Sequence, residues 1–174
     1  VTSIGSYAFR NCSNLISINI PNSVTSNYDS WFGGCSKLTY VSIGNIVNDD
    51  NWKGFLKSSY ITHINIIEGV TSISSSAFQG CSKLTSITIP ENVTSIGSSA
   101  FSGCSNLTSI NIPNNLTVIS DNLFYECTSL TNITIPDDVT SIGSSAFRNC
   151  LSLTNITIPE SVTSIGSYAF RDCS

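Results

Sequence analysis

The feature that most constrains the fold of this chain is a 23-residue repeat that runs through it without insertion or deletion. The segment Cys81–Pro90 reads CSKLTSITIP, and it recurs as CSNLTSINIP at Cys104–Pro113 and as CTSLTNITIP at Cys127–Pro136. A fixed period of roughly 20 to 50 residues is the signature of a solenoid, in which each coil buries its apolar face against its neighbours. The 174 residues therefore predict one domain, 1–174, of about 7.5 coils.

Alternating apolar and polar residues predict a short strand in every repeat. In the segment Cys81–Pro90, Ile87 and Ile89 alternate with Ser86 and Thr88, which is the period of a strand with one buried face. Pro90 ends this strand because proline has no N–H for the hydrogen-bond ladder. Since the repeats are equal in length, we expect their strands to stack in register as a parallel sheet.

The remainder of each repeat predicts turns and a second inward-facing piece. The segment Val93–Gly97, VTSIG, carries its valine and isoleucine inward and is compatible with a second short strand. The segment Ser98–Cys104 is too short for a regular helix, and we interpret it as one helical or 3₁₀ turn that points Phe101 and Cys104 inward. The aromatic column that this implies is Phe9, Phe32, Phe55, Phe78, Phe101, Phe124, Phe147 and Phe170.

The seven cysteines are spaced as core residues rather than as ligands or disulfide partners. Successive cysteines are 23 residues apart, except that Ser58 takes the place of a cysteine in one repeat. The chain has no C-x-x-C motif. Zinc sites need ligands clustered within a few residues, and stacked thiols with parallel Cβ vectors suit a disulfide poorly. We therefore predict a ladder of buried thiols, with no metal and no cofactor.

Composition excludes several classes of function. The net charge is −4, only 10% of residues are charged, and there is no basic run, so a nucleic-acid partner is not expected. No apolar stretch approaches the roughly 18 residues of a membrane span. The single histidine, His63, has no adjacent nucleophile motif, and no glycine loop follows a strand, so we do not expect an enzyme.

The repeat pattern V-T-S-I-G-x-x-A-F-x-x-C-x-x-L-T-x-I-x-I-P resembles the BspA-type class of leucine-rich repeats over the whole chain. The resemblance implies a curved solenoid with a parallel sheet on its concave side. It also implies a cell-surface or secreted protein, an adhesin-like role, and a protein or glycoprotein partner such as a host matrix or cell-surface protein. It supplies no catalytic residue to transfer.

The concave face of the sheet offers one candidate contact site. Between the inward isoleucines, Tyr40 and His63 are the only large side chains of their column, and they lie on adjacent coils. Together with Ser42 and Asn65 of the neighbouring column they are our predicted concave ligand site. The alternative is that His63 is an ordinary solvated sheet residue.

The irregular second and third repeats offer another candidate. Tyr28, Trp31, Trp52 and Lys53 replace small residues of the consensus there, and both tryptophans of the chain are among them. Aromatic residues with mixed charge are typical of interfaces, which favours a binding patch. A drifted or capping-type repeat explains the same residues.

Two roles remain open from the sequence. The first is a non-enzymatic binding module of a surface or secreted adhesin-like protein. The second is a structural or assembly component that associates end to end, because neither end has a recognisable polar cap. For the same reason we expect the chain to be an excerpt of a longer array.

Overall fold

Parallel strands from successive repeats stack side by side in the computed structural model, which describes residues 1–25, 31–45 and 60–173. The prediction of a solenoid whose repeats stack their strands in a parallel sheet is confirmed. The strands are β1 Ser17–Ile20, β2 Tyr40–Ile43, β3 His63–Ile66, β4 Ser72–Ile73, β5 Ser86–Thr88, β6 Ser95–Ile96, β7 Val118–Ile119, β8 Ser141–Ile142 and β9 Ser164–Ile165.

The main sheet contains the strands predicted from the L-x-x-I-x-I pattern, in the order β1-β2-β3-β5. Neighbouring strands are parallel, and the residues that face each other are one repeat apart in sequence. Ser17 thus lies opposite Tyr40, and Tyr40 lies opposite His63. Further along the solenoid the same face continues through isolated bridges from Ser109 to Asn132 and from Asn132 to Asn155. Equal repeat length places equal positions side by side, which is why chemically similar residues form columns.

A second ladder of two-residue strands lies on the V-T-S-I segments. It consists of the pair β4-β6 and the trio β7-β8-β9, all parallel. In this ladder Ile96 and Ile119 are buried, while Ser95 and Val118 are exposed. The second short strand suggested by the sequence is therefore present.

The segment between the second strand and the cysteine is a run of turns rather than one helical or 3₁₀ turn. The N–H of Cys104 bonds the carbonyl of Phe101 within its own coil, but the N–H of Phe101 bonds the carbonyl of Leu123 in the next coil, each at 3.1 Å. Ser99 and Gly103 have left-handed φ values of 59° and 74°. These reversals alternately direct N–H groups within the coil and toward the next coil, which a helical turn cannot do.

The core is a stack of phenyl rings with aliphatic side chains around it. Phe78, Phe101, Phe124 and Phe147 are fully buried, and successive centroids are 5.4 to 5.6 Å apart with interplanar angles of 7° to 17°. Offset stacking at this separation is a favourable arrangement for aromatic pairs. The predicted inward direction of the described phenylalanines is confirmed, although Phe9, Phe32 and Phe170 are only half-buried.

The predicted thiol ladder is present and unbridged. All seven cysteines are free, and the five inner ones are buried, whereas Cys12 is exposed and Cys173 is half-buried. Burial raises the pKa of Cys150 to about 12 and raises the pKa of Cys104 and of Cys127 well above the usual value. These thiols are protonated at neutral pH and act as packing groups rather than as nucleophiles.

Threonine columns on the outside connect the coils further. The Oγ1 of Thr85 donates to the carbonyl of Thr62 at 3.0 Å, and the Oγ1 of Thr62 donates to the carbonyl of Thr39 at 3.2 Å. The same bond joins Thr140 to Thr117 and Thr163 to Thr140 in the V-T-S-I ladder. Each hydroxyl is thus satisfied by the preceding coil, so the polar exterior stabilises the stacking.

Candidate functional site

Tyr40 and His63 lie side by side on the outer face of the main sheet. They are direct partners in the register of β2 and β3. Both side chains are exposed, and Tyr40 retains 43% of its accessible surface. The period of two in each strand directs them outward, because the intervening residues Val41 and Ile64 are buried in the core.

The ring of His63 is held by Thr62, the residue just before it in the chain. Its Nδ1 lies 2.8 Å from the Oγ1 of Thr62, and because that hydroxyl donates its single proton to the carbonyl of Thr39, Nδ1 is the donor of this bond. Since this bond occupies Nδ1, the remaining ring nitrogen, Nε2, is the one left for a ligand.

Ser42 and Asn65 form the second half of the predicted concave site. The Nδ2 of Asn65 donates to the Oγ of Ser42 at 2.9 Å across the two strands. Ser42 is only 9% exposed, so its main effect is to orient the amide of Asn65 rather than to present a hydroxyl. The structure thus brings all four predicted residues onto two adjacent strands, and their role in binding stays a prediction.

The main sheet carries no lysine, arginine, aspartate or glutamate on the residues of β1, β2, β3 and β5. Its outer columns contain hydroxyl and amide side chains around the Tyr40 and His63 pair. Recognition on such a face depends on hydrogen bonds, shape and aromatic contact rather than on long-range charge attraction.

The predicted patch in the irregular repeats is corrected in one respect. Trp31 is fully buried and packs edge-on against Phe32, with ring centroids 6.2 Å apart, so it cannot contact a ligand at the surface. Its position in the repeat is that of Ala77 and Ala100, which are also fully buried. Tyr28, Trp52 and Lys53 lie outside the described residues.

Sequence reasoning missed a ladder of tyrosine and arginine side chains on the turn segments, called the Tyr–Arg ladder below. The guanidinium carbon of Arg148 lies 5.8 Å from the ring centroid of Tyr125 and 6.0 Å from that of Tyr168. The guanidinium carbon of Arg171 lies 5.3 Å from the same Tyr168 ring. These are cation–π distances, and they connect three successive coils.

One signal in the sequence points to the Tyr–Arg ladder. The residue after the phenylalanine is Tyr125, Arg148 and Arg171 in the last three repeats and Arg10 in the first, whereas Gln79 and Ser102 stand there in the two repeats before Tyr125. The fourth member, Tyr168, stands in a different column, two residues before its phenylalanine. Its contact with Arg148 depends on how the turns stack and cannot be read from one column.

The described residues contain no group of three histidine, cysteine, aspartate or glutamate side chains arranged to hold a metal ion. Within the same ranges, no helix has the length and apolar character that crossing a bilayer requires.

Comparisons with known proteins agree with the geometry. The sequence profile described as a BspA type leucine-rich repeat region matches residues 1–52 and 51–174, in six copies. A leucine-rich repeat protein of T. pallidum is 37% identical, with a TM-score of 0.63 over 66% of this chain and 56% of that one. No curated protein is similar enough to match.

Two other solved structures match almost the whole chain. A leucine-rich cell surface protein of Faecalibacterium prausnitzii is 30% identical, with a TM-score of 0.65 over 99% of this chain and 49% of that one. A leucine-rich repeat protein of Eubacterium ventriosum is 25% identical, with a TM-score of 0.51 over 99% and 62%. The chain spans between about half and three fifths of the length of these proteins. It belongs to the family of proteins with BspA-type leucine-rich repeats.

Proposed function

We propose that this chain is a non-enzymatic binding module of a cell-surface or secreted adhesin-like protein, and that its main sheet binds a protein or glycoprotein. The observation that carries the proposal is the exposed pair Tyr40 and His63 on an uncharged sheet face. Tyrosine is enriched among the residues that dominate binding energy, and His63 adds a directed hydrogen-bonding group.

Three further observations support this function. Asn65 is oriented by Ser42, so an amide is positioned beside the aromatic pair before any ligand arrives. The repeat family and the F. prausnitzii structure, which is described as a cell surface protein, support a surface location. The buried thiols have raised pKa values and supply no nucleophile, which favours binding over catalysis.

The test is a binding assay with the immobilised chain and a panel of host matrix and cell-surface glycoproteins, each also in deglycosylated form. The double variant Tyr40→Ala/His63→Ala should weaken binding of the captured partner by about tenfold or more. Asn132→Ala/Asn155→Ala is the matched control, because both residues occupy the same outer column further along the solenoid.

Equal binding by the parent, the double variant and the control would remove the main-sheet pair as the site. Sedimentation velocity of the same preparations separates binding from assembly. A binding module sediments as one species at all concentrations, whereas growth of the sedimentation coefficient with concentration would favour the assembly role instead.

A further inference from the structure

Arg148 of the Tyr–Arg ladder is fixed on two sides by aromatic rings. Tyr125 comes from the coil before it and Tyr168 from the coil after it, at 5.8 and 6.0 Å from the guanidinium carbon. A guanidinium over a tyrosine face is attracted by the negative charge of the ring, and two faces restrict its movement. Arg148 is therefore held in place before any partner approaches.

The charge of Arg148 is not compensated within the described part of the chain, unlike that of its neighbour. Arg171 has an ion pair with Asp172, with the Nε to Oδ2 distance at 3.3 Å. No such pair involves Arg148 among the described residues. The carboxylate of Glu126, the next residue in sequence, raises the pKa of Tyr125, because it accepts from the phenol hydroxyl and its charge disfavours the phenolate.

The exposed end of Arg148 sets the geometry of recognition. Its Nε–H is buried and has no hydrogen-bond partner among the described residues, while the side chain as a whole is half-buried. A ligand can therefore reach only the terminal nitrogens, Nη1 and Nη2. Two parallel N–H donors match the two oxygens of a carboxylate, which gives a bidentate, charge-assisted pair.

We propose that Arg148, held between Tyr125 and Tyr168, is the anchor of a second docking surface that binds a single carboxylate of a protein partner. The backbone N–H of Glu126 donates to the carbonyl of Arg148 at 2.9 Å, so Glu126 lies beside Arg148, and its charge, with the net charge of −4, opposes the approach of a polyanion such as nucleic acid. One aspartate or glutamate side chain, with tyrosine contacts around it, fits this arrangement. The proposal is independent of the main sheet.

The test is a titration followed on the three arginine Nε–H resonances of the labelled protein, from Arg10, Arg148 and Arg171. The probe is the peptide acetyl-Gly-Ser-Glu-Ser-Gly-amide, whose only charge is one carboxylate, and the control peptide has glutamine in place of glutamate. The Arg148 resonance should shift saturably with the glutamate peptide only. Arg10 is the internal control, because it stacks on Tyr7 alone, at 5.3 Å.

Two substitutions sharpen the test. Arg148→Lys keeps the charge but removes the planar pair of donors, and it should weaken the peptide affinity by about fivefold or more. Arg10→Lys should leave the affinity unchanged. Peptide binding by the lysine variants is followed on the amide resonances of Tyr125 and Tyr168, and far-UV circular dichroism verifies that both variants are folded.

Three outcomes would overturn the proposal. They are the absence of a saturable shift at Arg148, shifts of equal size at Arg10 and Arg148, and equal affinity of the Arg148→Lys variant and the parent. The proposal would also be contradicted if polyglutamate bound more tightly, per carboxylate, than the single-glutamate peptide. A polyanion would then be the preferred ligand.

Discussion

The thiol of Cys127 donates a hydrogen bond to the main-chain carbonyl of Phe101, 26 residues earlier, at 3.2 Å. The same oxygen accepts the N–H of Cys104 at 3.1 Å, so both of its lone pairs are used. The bond recurs along the column from Cys35 to Phe9, Cys104 to Phe78, Cys150 to Phe124 and Cys173 to Phe147. Each of these thiols thus fills the core and joins its coil to the preceding one.

Replacing Cys127 by alanine should destabilise the fold by about 1 to 3 kcal/mol, because it removes this hydrogen bond and leaves a small cavity in a dry core. Cys12→Ala is the matched control, since Cys12 belongs to the same column but is exposed, and its cost should stay below about 0.5 kcal/mol. Urea denaturation followed by circular dichroism measures both. Equal costs would mean that the thiol column does not stabilise the stacking.

Stability should fall at alkaline pH because of the same thiols. Burial raises the pKa of Cys150 from 9.0 to about 12 and also raises the pKa of Cys104 and Cys127. Above pH 9.0 the unfolded chain therefore loses these protons while the folded chain retains them. The stabilisation is complete below this pH and is lost as the pH rises toward 12.

The measurement is the urea midpoint at neutral pH and at a pH above 10. The variant Cys104→Val/Cys127→Val is the control, because it keeps the tyrosines and lysines that also titrate in this range. Its midpoint should fall less than that of the parent. An equal fall in both proteins would assign the alkaline loss of stability to groups other than the thiols.

Phe101→Ala should be among the most destabilising single substitutions, at about 3 to 5 kcal/mol. The ring is fully buried and stacks on two others, at 5.5 and 5.6 Å. Phe9→Ala is the control, since Phe9 is half-buried and stacks on Phe32. Equilibrium unfolding should show a clearly larger loss for Phe101→Ala, and the opposite order would contradict the central position of the ring stack.

Gly97→Ala should cost about 1 to 3 kcal/mol because the new methyl group would overlap the main chain of Ser75 in the preceding coil. Gly5 occupies the same repeat position with open space around it, so Gly5→Ala should have little effect. Ser120 also occupies this position, which shows that the backbone can adapt to a side chain there. Thermal unfolding of the two variants should differ by several degrees, and equal melting temperatures would argue against a close approach of the coils.

Trp31 should fluoresce as a buried tryptophan. In the variant Trp52→Phe it is the only tryptophan left, and its emission should be blue-shifted and weakly quenched by acrylamide. Emission like that of free tryptophan in water would place the ring at the surface and would restore it as a candidate binding residue.

The sequence predicted most of the fold because the repeat has no insertions. The inward direction of Phe101, Cys104 and Ile87 followed from their columns, and the structure buries all three. The turn segment was less predictable, since left-handed conformations fall on Ser99 as well as on Gly103, and serine carries no strong signal for them.

The candidate site was predictable only in part. The pairing of Tyr40 with His63 follows from the repeat length alone, whereas the hydrogen bond between Asn65 and Ser42 depends on side-chain rotamers. Trp31 appeared as an interface residue because of its type. Its column, occupied by Ala77 and Ala100, was the better guide to its burial.

By itself the sequence determined the register of this protein, because 23-residue repeats of equal length must place equal positions side by side. That register decided which residues face the core and which face water. Only the tertiary structure decided that Arg148 lies between Tyr125 and Tyr168 and that Cys127 reaches the carbonyl of Phe101. These contacts join residues about one coil apart, and they form only where the separation of the coils and the direction of each side chain allow them.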